Sequence, residues 1–209
     1  MNIVVITGDL LKEELLAQGC KEGATIEWSH DIHAVFQHAQ VYIDLMFETN
    51  RNERMKLLGQ LPADAIIVND VMGTANDLPQ NFIRLNGWPT FLKRDIAETS
   101  CTNDAIKATA AGALSYFNKK TEWVPDVRGF ITPRVACTII NEAFFSLENR
   151  VSSREEINTA MKLGTNYPYG PFEWGELIGM EKVYELLSIL SKHDSRYIPC
   201  ELLKKESAS

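Results

Sequence analysis

The start of the chain is the first place where residue types and spacing could do chemistry. Ile3-Val4-Val5-Ile6 is a short apolar run, Thr7-Gly8-Asp9 a turn, and Leu10, Leu11, Glu14 and Leu15 open a helical pattern. A dinucleotide site on such a unit needs G-x-G-x-x-G, because backbone must approach the pyrophosphate closely and hand it to a helix N-terminus. This turn has one glycine, Gly8. Leu10 and Leu11 would crowd the phosphates, and Asp9, Glu13 and Glu14 would repel them. One cofactor feature survives: Glu27, at the end of a second strand-like run, stands where an acidic residue would bind the adenosine ribose. His30, His33 and His38 lie close in sequence, and His30 and His33 share a face if that segment is helical. No cysteine or carboxylate accompanies them in ligand spacing, so no metal site is indicated. Cys20, Cys101, Cys137 and Cys200 are scattered without C-x-x-C, which predicts free thiols in a reducing compartment. G-x-S-x-G, Walker and H-E-x-x-H motifs are absent.

A second stretch, Ser153–Gly179, reads as helix, rigid loop, helix. Ser153 and Glu156 have capping-box spacing, and Ile157, Ala160 and Met161 share a helical face with Gly164 as the stop. Tyr167-Pro168-Tyr169-Gly170-Pro171 then fixes a backbone shape, with Pro171 suited to the first position of the next helix.

The run I-x-x-A-M-K-L-G-T-N-Y-P-x-G-P-F-E from Ile157 resembles the C-terminal domain of the 3-hydroxyacyl-CoA dehydrogenases. Gly129-Phe130-Ile131 and Ile140-Asn141-Glu142-Ala143 extend the likeness over about residues 100–200. The resemblance implies a shortened Rossmann-like parallel-sheet domain over 1–126. An all-α domain like the 6-phosphogluconate dehydrogenase C-terminal domain follows over 127–209. It also implies a reaction in which a 3-hydroxyl is oxidised, hydride passes to NAD, and a histidine oriented by a glutamate takes the proton. In the family that histidine sits in H-F-x-N-P; the matching stretch, Leu85-Asn86-Gly87-Trp88-Pro89, has none. The glutamate is matched by Asp95 or Glu98. Of an N-T-S-S-like turn after the fourth strand only Asn69 is kept. In the G-F-x-x-N-R motif Pro133 replaces the substrate asparagine, and proline has no polar side chain to offer.

These departures predict a family member whose dehydrogenase activity is weak or lost. The alternatives are an active oxidoreductase with an unrecognised base, or a dimeric scaffold with no small ligand. An acyl-CoA-like molecule, if one is kept, would meet Asn69, Asn141, Glu142, Asn166 and Tyr167, in the interdomain cleft that the family uses. Gly8 and Glu27 are what remains of an NAD site; the turn argues against NAD, and no other cofactor is indicated. In the family the helical domain makes most of a dimer interface, which predicts a homodimer here.

The elements that must position these residues follow from periodicity. Strands are expected at 3–6, 25–28, 41–45 and 65–69, with helices from Leu10, over 32–39 and over 52–60 between them: βαβ units on a parallel sheet. Phe82–Leu85 and Pro89–Ile96 read as further strands separated by Asn86-Gly87. Thr102 or Asn103 caps a helix through Phe117, and 122–127 reads as a last strand. The rest is helical. Thr132 and Pro133 start a helix with Val135, Ile139, Ile140, Ala143, Phe144 and Leu147 on one side, and 181–192 carries Val183, Leu186, Leu187 and Leu190. The tail from Glu201 reads as polar and frayed.

With 209 residues, 45% of them hydrophobic, the chain can build one large or two small cores, and its net charge of −7 argues against nucleic acid as a partner. Met1 leads straight into a strand-like run without a signal peptide, and no apolar stretch has membrane length, so a soluble, cytoplasmic protein is expected.

Overall fold

The computed structural model describes residues 1–35 and 38–208. It divides into two units, Met1–Phe130 and Ile131–Ser209.

In the first unit the apolar runs become strands β1 (Asn2–Ile6), β2 (Thr25–Ser29), β3 (Val41–Asp44), β4 (Ala65–Asn69), β5 (Phe82–Leu85), β6 (Ile96–Ser100) and β7 (Lys120–Trp123). They form one sheet in the order β2-β1-β3-β4-β5-β6-β7. Every residue of β3, β4 and β5 is buried, as expected for strands covered on both faces. Alternate residues feed two apolar layers. Ile3, Val5, Ile43 and Ile67 pack on one face with α1 (Asp9–Leu16) and α3 (Lys107–Ser115). Val4, Ile6, Tyr42, Ile66 and Val68 pack on the other, with Leu58 of α2 (Arg51–Leu58).

One pairing departs from the expected parallel sheet: β5 and β6 run antiparallel. A parallel return needs a crossover of a dozen or more residues, usually a helix, and the link 86–95 is too short for one. That link, not a strand, occupies most of the expected 89–96 strand. Thr90, within it, has φ 75°, a left-handed conformation that takes a β-branched residue out of any ladder. The expected helix over 32–39 is only a 3₁₀ turn, Ile32–Ala34, capped by Asp31; Phe36 and Gln37 lie outside the described residues. Of the two expected caps, Asn103 serves, but for the 3₁₀ turn Asp104–Ile106 that leads into α3: its side chain accepts from Ala105 N–H, and α3 itself starts without a side-chain cap. The last strand comes earlier than expected, at Lys120–Trp123.

The second unit contains α4 (Thr132–Glu148), α5 (Arg154–Thr165), α6 (Pro171–Ile178), α7 (Met180–Ser191) and α8 (Glu201–Glu206). The buried face of α4 is Pro133, Ala136, Cys137, Ile140, Asn141, Ala143 and Phe144. Val135, expected inward, is 53% exposed. The Ser153/Glu156 capping box forms as expected. Helix α5 does not stop at Gly164; it runs to Thr165, and Asn166 takes the left-handed cap position with φ 55°. Asparagine tolerates that conformation through local hydrogen bonding of its short side chain. The tail is not frayed, because α8 buries Leu203 completely and Glu206 pairs with Arg154. No helix among the described residues is long and apolar enough to cross a membrane.

Candidate functional site at the carboxyl ends of the central strands

Strand order 2-1-3-4 is the doubly wound arrangement whose ligand crevice lies beyond the carboxyl ends of β1 and β3, where the winding reverses. Gly8 sits there as the N-cap of α1, with no side chain to cap the helix. A Cβ on Gly8 would meet only the Met46 sulfur, at 3.8 Å, an ordinary contact. Leu11 turns into the core and does not crowd this turn, whereas Leu10 is 59% exposed and Asp9 lies in the first helical turn. Glu27 is exposed in the middle of β2, opposite Val4, two residues short of the strand end where it was expected. It borders a shallow cleft of about 60 Å³ with Asn2, Thr25 and His38. His30 and His33 are exposed and approach Asp9 and Glu53, each at 3.8 Å. Among the described residues no three His, Cys, Asp or Glu side chains gather as metal ligands.

Further along the sheet, polar side chains stitch the strand ends together. Asp44, at the end of β3 and fully buried, accepts two bonds from Arg54, at 2.7 and 2.8 Å. Burial raises the Asp44 pKa despite that arginine. Asn69, at the end of β4, donates to the Leu45 carbonyl and accepts from Gly87 N–H, so its amide ties β3, β4 and β5. Gly87 is required here, since a Cβ would stand 2.8 Å from Asn69 Cγ. Asp70 takes a bidentate bond from Arg51, and Arg84, with no exposed surface, reaches Asp126 at 2.6 Å. Phe130 lies under the Arg84 guanidinium at 4.4 Å.

The two carboxylates expected at the catalytic position lie in different surroundings. Asp95 is exposed ahead of β6, and its carbonyl accepts from Lys120 N–H. Glu98 is 8% exposed on β6 and accepts from the side-chain amide of Asn86 at 3.1 Å. The antiparallel register, Leu85 opposite Thr99, puts Asn86 next, opposite Glu98, and Asn86 N–H donates to the Glu98 carbonyl at 3.0 Å. Asn86, which meets Glu98 here, offers a neutral amide, and an amide cannot take a proton at working pH.

In the helical unit Asn141 is 4% exposed and fully engaged: it donates to the Ile198 carbonyl and accepts from Cys200 N–H. Glu142 and Asn166 are exposed. Tyr167 is half-buried, and its ring makes an edge contact with Trp174 at 6.2 Å. The loop before Trp174 is held by its own polar contacts. Asn158 accepts from Phe172 N–H, Glu173 accepts from Gly170 N–H, and Lys162 pairs with Glu173. Sequence reasoning missed Asn86, visible only as half of an Asn-Gly turn.

The profile of the family "3-hydroxyacyl-CoA dehydrogenase, C-terminal domain" matches residues 129–208, the part that carries this loop and its flanking helices. Residues 129–208 belong to the 3-hydroxyacyl-CoA dehydrogenase C-terminal domain family. Human mitochondrial hydroxyacyl-coenzyme A dehydrogenase is 43% identical over 171 residues, 76% of this chain and 54% of that protein. The 3-hydroxybutyryl-CoA dehydrogenase of Bradyrhizobium diazoefficiens is 29% identical over 170 residues, 76% of this chain and 58% of that protein. The 3-hydroxyadipyl-CoA dehydrogenase of Escherichia coli (strain K12) is 37% identical over 114 residues, which is 24% of its length. The chain thus spans about a quarter to three fifths of these curated relatives. Among solved structures, (S)-3-hydroxybutyryl-CoA dehydrogenase from Ralstonia eutropha superposes with a TM-score of 0.76 at 20% identity, covering 99% of this chain and 93% of that one; this likeness concerns the fold. The family's fold, a Rossmann-like sheet followed by a helical domain, is present.

Proposed function

We propose that this chain is a 3-hydroxyacyl-CoA dehydrogenase-family protein in which NAD-dependent oxidation of 3-hydroxyacyl-CoA is weak or lost, while binding of an acyl-CoA or similar small molecule is retained. The observation that carries the reading is the Asn86–Glu98 pair. The glutamate that the family uses to orient a histidine faces an amide that cannot act as general base. The turn at Gly8 supports it, since α1 begins with Asp9 and offers one glycine where a pyrophosphate needs close backbone. Glu142, Asn166 and Tyr167 keep surface at which a ligand can be met, whereas Asn69 and Asn141 spend their amides on backbone. Exposed Ile131, Val135, Leu177 and Ile198 give the helical unit apolar surface for the proposed homodimer. The test is turnover of 3-hydroxybutyryl-CoA with NAD, alongside calorimetric titration with the acyl-CoA alone. Binding without turnover is the expected outcome; turnover at ordinary dehydrogenase rates refutes the reading.

A second reading, a dimeric scaffold with no small ligand, is favoured by the engagement of Asn69 and Asn141. Light scattering that finds a dimer, together with no calorimetric response to acyl-CoA, would select it.

A further inference from the structure

We draw no further inference here: the strongest candidate, the surface patch on helix α5, which buries none of its residues and leaves Ala160 and Leu163 exposed alongside half-buried Ile157 and Met161, is an apolar face, and nothing in the structure shows what covers it.

Discussion

Asn86 and Glu98 face one another across 3.1 Å because β5 and β6 run antiparallel, and the amide is the donor. Asn86→Ala removes a bond to a nearly buried carboxylate and should cost about 1–3 kcal/mol. Asn86→Asp sets two carboxylates together, which raises a carboxyl pKa in the folded state. Its deficit should thus be largest at pH 7 and shrink towards pH 4, where the folded protein holds the extra proton. Urea denaturation at the two pH values reads both effects.

Asp44 and Arg54 form a buried pair in which burial already outweighs the arginine and raises the carboxyl pKa. Arg54→Met leaves that carboxylate without its cation and should destabilise by about 3–5 kcal/mol. The double variant Asp44→Leu/Arg54→Met should recover much of the loss. Denaturation midpoints of the single and double variants check the pair; equal losses would contradict it.

Lys119 is 3% exposed and donates to the Leu92 and Arg94 carbonyls, both at 2.7 Å, which holds the β5–β6 link. Burial lowers its pKa to about 8, against the opposing pull of Glu14 and Asp95. A lysine lowered in the folded state binds its proton less well there than in the unfolded chain. Its contribution to stability therefore rises with pH between about 8 and the ordinary lysine value. The stability of the unsubstituted chain relative to Lys119→Met should increase from pH 7 to pH 9.5 in guanidinium titrations.

Gly170 has no room for a side chain, because a Cβ would run into Asn158. Gly170→Ala should destabilise by about 1–3 kcal/mol through overpacking. Asn158→Ala in the same chain should relieve the clash but forfeit the bond to Phe172 N–H, so recovery should be partial. Thermal melts of the two variants measure this.

Thiol reactivity should follow burial. Cys20 is exposed, while burial pushes the Cys137 thiol up, and Cys200 too is raised by burial. A colourimetric thiol reagent should modify Cys20 within the mixing time, and Cys137 and Cys200 only on unfolding.

Local patterns made much of this fold legible. The apolar runs of β1, β3 and β4, the Ser153/Glu156 box and the Pro171 helix start are each set by neighbouring residues. What was hidden depends on distant pairing. The antiparallel turn at β5–β6 follows from the length of a link that sequence periodicity mistook for a strand, and with it the partner of Glu98. The expected α4 stripe holds at Ile140, Ala143 and Phe144 but misses at the helix start, where apolar side chains sit on both faces and only packing selects Ala136 and Cys137 over Val135. Tail helix α8 escaped notice because its anchors, Leu203 and the Arg154–Glu206 pair, lie far apart in the chain.

The central claim is that the family's fold is kept without its NAD-linked machinery, and an NADH titration tests it most directly. Trp28, on the strand beside β1 and with Lys12 above its ring, is well placed to report binding through fluorescence quenching, with calorimetry as a check. The account predicts no saturable binding up to millimolar NADH. Saturable binding at micromolar NADH would contradict it.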